Sequence, residues 1–560
     1  MSQQQRMGGQ PMIILGEDSQ RIKDRDAQSH NIAAAKAVAE AVRSTLGPKG
    51  MDKMLVSSMG DITVTNDGVT ILQEMDIDNP TAEMIVQVAE TQEDEAGDGT
   101  TTAVSIAGEL LKNAEQLLEQ DIHPTAIIKG FHLASERARE EVGNVAYDVD
   151  PEDTDLLKQV AETSMTGKGA ELDKDVLAEL VVDAVQAVTV EADDGESIVD
   201  LEYVNIKTQT GRSAAESELL NGGVINKSPE HDNMPHVADD ATVLLLNEAI
   251  EIEDTDADAN LQLDSPDQLK TFIDKEEAQI REKVDAIADA GADVVFCQKG
   301  IDDLAEHYLA KAGILATSRV KKKDLSFLRE VTGGDILSDL DAIEDATLGS
   351  ANVEYDEDDD LFYVEGTAED AHGVTLLLRG ATQHVVDELE RGIGDALDVV
   401  AQTVSDGRVL AGGGAVEVEV ARRVREYADS VSGREQLAVE AFADSLELVP
   451  RVLAENAGLD SIDTLVDLRA AHDDGDETAG LNVFTGDVVD TFEAGVVESA
   501  HAKQQAISSA TEAANLVLKI DDIIAAGDLS TEGEEPEGGA GGMGGMGGMG
   551  GMGGGMGGMM

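Results

Sequence analysis

The residues best suited to chemistry are acidic, bounded by glycine, and set where a helix or turn begins. Ala96-Gly97-Asp98-Gly99-Thr100-Thr101-Thr102 runs directly into Ala103, Ala107, Leu110, Leu111, Ala114, Leu117 and Leu118 at three- and four-residue spacing. That spacing predicts an amphipathic helix over about 100–119. A helix N-terminus presents unpaired N–H groups and a partial positive charge, which together favour an anion. Gly97 and Gly99 allow close backbone approach, and three threonines offer hydroxyls. Asp98 would repel a bare phosphate, so the pattern suits a magnesium ion between its carboxylate and phosphate oxygens. A plain helix cap by Asp98 or Thr100 is the competing reading.

Four further stretches carry candidates. Thr45-Leu46-Gly47-Pro48-Lys49-Gly50 follows a predicted helix over 31–44 and reads as its stop signal, or as a second phosphate-facing turn. Asp61 to Thr65 and Val69 to Leu72 flank Asn66-Asp67-Gly68, which predicts a β-hairpin with Asp67 at its tip. Lys168 stands between two glycines in a chain poor in lysine, a placement that suits phosphate sensing. Gly412-Gly413-Gly414 invites a dinucleotide reading, but position 417 is glutamate and no βαβ unit with a ribose acid follows. Walker-A, zinc-ligand and serine-elbow patterns are absent from the sequence, and its ten histidines are scattered.

These residues need a large scaffold. At 560 residues the chain should hold several domains. Asp and Glu total 115 against 40 Lys and Arg, a formal charge of −75 spread along the chain. Such a surface argues against nucleic acid as a partner, because phosphate neutralisation needs a basic face. The one dense basic run, Arg319 to Lys323, reads as a solvated loop. The charge also implies a salt-rich cytoplasm, since at molar salt the Debye length falls to about 3 Å and surface repulsion fades. The single cysteine, Cys297, lies in an apolar strand pattern and reads as a buried thiol in a reducing interior. No signal peptide and no bilayer-length apolar run is seen, so a soluble cytoplasmic protein with no membrane partner is expected.

Along the chain, residues 1–18 read as a loose arm, and helical periodicity continues past His123-Pro124 to about 146. Residues 216–369 have a β-α-β rhythm: strands at Thr242–Leu246, Asp293–Cys297 and Gly313–Ala316, with a helix from Ile301 to Lys311. Glu248 to Asp264 is acidic, and Ser265-Pro266-Asp267-Gln268 forms a capping box for the helix that follows. A strand at Gly373–Leu378 leads into a helix over 382–400, with Val385, Leu389, Ile393 and Leu397 as its buried stripe. That stripe puts Asp395 on an acidic solvated face beside Glu388 and Asp398. Pro450 should kink the first of two long helical stretches. From Gly538 the chain repeats Gly-Gly-Met, which cannot form a packed core.

Taken together, Thr45 to Asp52, Asn66 to Leu72 and Gly97 to Thr102 resemble signature segments of the chaperonins. Thr163-Ser164-Met165-Thr166-Gly167-Lys168 and Gly480 to Gly486 point to the archaeal and eukaryotic branch, group II. The chain looks like a member of the archaeal thermosome family over about residues 11–527. The resemblance implies a multidomain α+β chaperonin fold. Its mostly helical equatorial domain would comprise 1–148 and 403–527, and its small α/β intermediate domain 149–215 and 370–402. An α/β apical domain, 216–369, would carry a helical lid protrusion at about 248–282, and 528–560 would be a flexible tail. The implied activity is ATP hydrolysis coupled to protein folding, with ATP and Mg²⁺ bound.

In that reading Asp98 holds the metal, while Leu46, Gly47, Pro48, Gly99, Thr100, Thr101 and Thr102 cradle the phosphates. Asp67 and Asp395 activate water and Lys168 senses the γ-phosphate. Gly413, Gly414, Asn482 and Asp490 face adenosine. Implied partners are unfolded client proteins and identical or paralogous subunits in stacked rings. Gly392 and Gly394 weaken the helix around Asp395.

Overall fold

The computed structural model of the chain describes residues 20–60, 62–167, 174–191, 197–252, 266–367 and 372–525. The N-terminal arm, Lys168, Ser265, most of the acidic segment before it and the Gly-Gly-Met tail lie outside those residues.

Sixteen α-helices are formed among the described residues, in chain order. The first seven are α1 (Asp24–Arg43), α2 (Gly68–Glu74), α3 (Pro80–Ala96), α4 (Thr100–Glu119), α5 (Pro124–Val145), α6 (Thr154–Met165) and α7 (Lys174–Ala187). The middle of the chain gives α8 (Pro266–Asp289), α9 (Asp303–Ala312), α10 (Lys322–Thr332) and α11 (Gln383–Asp406). The last five are α12 (Ala415–Ala428), α13 (Glu435–Leu446), α14 (Leu448–Asn456), α15 (Ser461–Asp474) and α16 (Ala500–Lys519).

Two units are distinguished by their contacts. In the one made of residues 1–27 and 521–560, Gln20–Lys23 pairs antiparallel with Asp522–Ala525. The other, residues 28–520, holds three large apolar clusters.

The first cluster is helical. Apolar faces of α3, α4, α5, α12, α13 and α16 meet around Ile106, Leu110, Leu111, Phe131 and Phe442, all essentially without exposure. Leu and Ile at helical spacing produce this, because an amphipathic helix is stabilised mainly by burying its stripe. Phe131 and Phe442 pack edge to face at 6.0 Å.

The second cluster surrounds a seven-stranded sheet. Val237–Leu246, Val294–Cys297 and Leu315–Thr317 run parallel, with α8 and α9 as crossovers. Gly349–Asp356 joins the same sheet antiparallel. The short runs of Val, Leu and Phe are buried on both faces, as parallel strands covered by helices must be. The third cluster packs α6, α7 and α11 on a small sheet, where Val374–Gly380 lies parallel to Val204–Thr210 and antiparallel to Glu218–Asn221.

Three expectations need correction. Asn66-Asp67-Gly68 is not a hairpin tip. The hairpin pairs Lys53–Val56 with Ile62–Thr65, and Asp67 instead starts α2, its Oδ2 accepting the Thr70 N–H at 2.8 Å. A carboxylate cap and burial of Val69, Ile71 and Leu72 outweigh the turn preference of Asp-Gly. On α11 the buried stripe is Val386, Leu389, Ile393 and Leu397, while Val385 is 39 % exposed. Asp395 is nevertheless buried, at 9 % exposure and not on a solvated face, because α11 is covered on most of its circumference there: Gly392, Ile393, Ala396, Leu397, Val399 and Val400 are buried with it. Pro450 does not kink a continuous helix: the break falls at Glu447, and Pro450 sits in the first turn of α14.

Candidate functional site

α4 begins at Gly99, whose backbone is left-handed (φ +83°) and whose cap carries no side-chain hydrogen bond. The N-cap position belongs to Gly99, which has no side-chain oxygen to offer, and not to Asp98 or Thr100. The residues that could hold an anion are in place: Gly99, Thr100, Thr101 and Thr102 line a cavity of about 650 Å³.

The separate sequence stretches converge on this cavity by direct packing. A Cβ at Gly68 would stand 2.6 Å from Thr101 Oγ1, so the Asp67-Gly68 turn rests on the α4 threonines. One at Gly97 would stand 2.2 Å from Asp398 Cβ, so the loop before α4 abuts the helix that bears Asp395. Asn66 donates through Nδ2 to the Gly167 carbonyl, bringing the end of α6 to the same place. Asn456 Nδ2 donates to the Leu46 carbonyl at 2.8 Å and fixes the turn after α1. On the far side the Leu481 N–H donates to Gly413 O at 2.9 Å, joining the glycine turn to the Ala479–Leu481/Val488–Asp490 hairpin.

Of the expected site residues, Leu46, Gly47, Pro48, Asp67, Asp98, Gly99, Thr100, Thr101, Thr102, Asp395, Gly413 and Asn482 line this one cavity. Gly414 and Asp490 are not among its lining residues. Gly414 starts α12 against Pro450, and Asp490 is exposed, its Oδ1 accepting the Glu493 N–H at 2.9 Å. Lys168 lies outside the described residues. Lys49 is not at the wall; its ammonium sits 4.6 Å over the Phe484 ring, and Phe484 is itself at the wall.

The cavity also contains charged groups that sequence reasoning missed. Glu498 and Lys503 line it, and Lys503 Nζ lies 2.5 Å from both Glu417 Oε1 and Glu498 Oε2. Burial alone would lower the lysine's pKa, but the two carboxylates overcome it and raise it, so Lys503 stays an ammonium. Lys174 opens α7 at the wall and donates to Thr166 Oγ1 at 2.7 Å. A lysine three residues into α16, in a chain this short of lysine, was the available signal for Lys503.

The described lining thus carries six carboxylates (Asp67, Glu93, Asp98, Glu162, Asp395, Glu498) against two lysines. Two like charges 4 Å apart cost about 4 kcal/mol at an effective dielectric near 20. A polyanion could enter such a site only with a multivalent cation. No group of three or more metal-ligating side chains is found among the described residues. A cation held by one carboxylate plus ligand phosphates, the usual pattern for magnesium, fits that lining.

Comparison with known proteins gives the family. A profile of the TCP-1/cpn60 chaperonin family matches residues 38–528. The chain is 74 % identical to thermosome subunit 2 of Haloferax volcanii over 539 residues, 96 % of this chain and 97 % of that protein. It is 72 % identical to thermosome subunit beta of Halobacterium salinarum over 533 residues, 95 % and 96 % of the two chains. An open-state monomer of a group II chaperonin from Methanococcoides burtonii superposes with a TM-score of 0.60 at 43 % identity, covering 76 % of this chain and all of that one. With five separated sequence stretches gathered on one cavity and a match over most of its length, the chain belongs to the TCP-1/cpn60 chaperonin family.

Proposed function

We propose that this cavity binds Mg–ATP and that its hydrolysis drives the conformational cycle of an ATP-dependent chaperonin, the class of ATPase to which family membership assigns the chain. The observation that carries the site assignment is the convergence of Asp67, Asp98, Asp395 and the α4 N-terminus on one cavity. Bound magnesium would neutralise phosphate charge and polarise the terminal phosphoryl group. Asp98 is the residue to hold it, with Gly47 and the Gly99–Thr102 stretch cradling phosphate oxygens.

Asp67 and Asp395 reach the cavity from different clusters, one from the cap of α2 and the other from α11. Each can orient a water molecule and accept its proton as it attacks phosphorus. Because they belong to separately packed elements, their spacing changes when those elements rotate. Hydrolysis is thereby coupled to closure. The remaining assignments follow the same reading. Lys168 senses the terminal phosphate. Gly413, Asn482 and the adjoining hairpin face the nucleoside.

In the proposed cycle, residues 1–148 and 403–527 form the equatorial base, 149–215 and 370–402 the intermediate arm, and 216–369 the apical part. Its lid, at about 248–282, closes over unfolded client protein inside stacked rings of like subunits in the cytoplasm. Asp395→Ala tests the chemistry. Nucleotide affinity should stay near the parent value while turnover falls by roughly 10²–10⁴-fold, the range for losing a positioned acid or base. Unchanged turnover would remove Asp395 from the mechanism.

A further inference from the structure

Gln92 lies on α3 four residues before its end, and its side chain is fully buried. Its Nε2 donates to the backbone carbonyl of Asp98 at 2.8 Å and to that of Ala502 at 3.2 Å. Carbonyl oxygens only accept, so the amide orientation is fixed: the flipped rotamer would set three acceptors against one another. Oε1 has no partner among the described residues, so the polar contacts of this side chain go wholly to those two carbonyls.

The two carbonyls belong to different elements that both line the cavity. Asp98 sits in the short link between α3 and α4. Ala502 sits in the first turn of α16, beside Lys503 and just after Glu498 and Ser499. An ideal Cβ at Gly99 would stand 3.2 Å from the Gln92 nitrogen, so the loop packs directly on the amide.

We propose that Gln92 is a positioning residue for the metal carboxylate. By tying the Asp98 peptide to α16 it sets where the Asp98 side chain meets a divalent cation, and it keeps that point in register with Glu498 and Lys503. This rests on Asp98 being the metal carboxylate. Gln92 touches neither nucleotide nor metal in this account, and it acts through the loop it holds.

The test uses the full-length assembled protein in molar KCl. Gln92→Leu, Gln92→Asn and Asp98→Ala are compared with the parent by titrating Mg²⁺ into protein plus a fluorescent ADP analogue. The analogue's affinity in EDTA and the thermal midpoint without nucleotide are measured beside it. Gln92→Leu should raise the Mg²⁺ half-saturation about tenfold, the low end of the cost of losing an outer-shell partner of a metal ligand. Its affinity in EDTA should stay unchanged. Gln92→Asn keeps the amide on a shorter arm and should fall between Leu and parent. If the Leu variant does not assemble, the Asn variant decides by the same pair of readings.

An unshifted Mg²⁺ requirement in a folded variant would overturn the proposal. Equal losses with and without magnesium would also overturn it, since they would mean a structural role only. The Asp98→Ala arm separates the two levels. If Asp98→Ala leaves the Mg²⁺ dependence intact, the site assignment itself is wrong. If it abolishes that dependence while Gln92→Leu shifts nothing, only the role of Gln92 is.

Discussion

Asp67 performs two separable tasks, and two substitutions distinguish them. Its Oδ2 caps α2 through the Thr70 N–H at 2.8 Å, and the same residue lines the cavity. Asparagine is as good an N-cap as aspartate, so Asp67→Asn should keep the cap while removing the charge. Alanine loses both, and loss of an N-cap costs about 1 kcal/mol. The expected pattern is therefore asymmetric. In guanidinium or thermal denaturation at molar salt, Asp67→Asn should match the parent, whereas Asp67→Ala should be less stable by about 1 kcal/mol. In a phosphate-release assay with saturating Mg–ATP, both should lose roughly 10²–10⁴-fold in turnover. If Asp67→Asn hydrolyses ATP like the parent, the residue is a cap and nothing more. If the two variants are equally unstable, the cap hydrogen bond is not what holds the start of α2.

Three further outcomes follow from the packing. Gly97→Ala puts a methyl 2.2 Å from Asp398 Cβ at a left-handed φ of +66°, so turnover should fall and the thermal midpoint drop. A variant with parent turnover would show that α11 does not press on the metal loop. Stability should also depend on acid pH through Glu447. Burial raises its pKa, but hydrogen bonds from Arg469 and Arg425 outweigh this and hold the carboxyl below its ordinary value. A depressed folded pKa contributes stability that is complete above the unfolded value near 4.3 and is lost as pH falls through the lower folded value. Denaturation midpoints should therefore drop below about pH 4.5, and Glu447→Gln should be less stable at pH 7 by about 1–3 kcal/mol with a flatter acid slope. An unchanged slope would discount the pair. Finally, burial pushes the Cys297 thiol up to about 12, so iodoacetamide should not label the native protein at pH 8 but should label it once unfolded. Rapid native labelling would contradict the buried position.

Much of this arrangement is legible in the amino-acid sequence. The three- and four-residue spacing after Gly99 predicts a helix over 100–119, and α4 spans Thr100–Glu119. The apolar runs near 242, 293 and 313 become the parallel strands of the larger sheet. Signals fail where one residue type serves two geometries. Asp67 followed by glycine suits a hairpin tip and a helix cap equally, and α2, seven residues long, is too short for a clear period. A single apolar stripe on α11 leaves Asp395 facing outward, but neighbouring elements cover the helix on most sides from Gly392 to Val400 and bury Asp395 with it, which spacing alone does not show. Composition hides Glu498, because an acidic chain offers carboxylates everywhere and only the fold shows which of them face a ligand. Gln92 is equally invisible, since its partners are backbone carbonyls, which every residue carries.

The most direct measurement is a structure of the assembled protein with Mg²⁺ and a non-hydrolysable ATP analogue. The account predicts the triphosphate at the start of α4, a metal ion bound by the Asp98 carboxylate, and the Asp67 and Asp395 carboxylates both facing the terminal phosphate. Nucleotide bound away from Asp98, or a terminal phosphate that neither Asp67 nor Asp395 approaches, would contradict it.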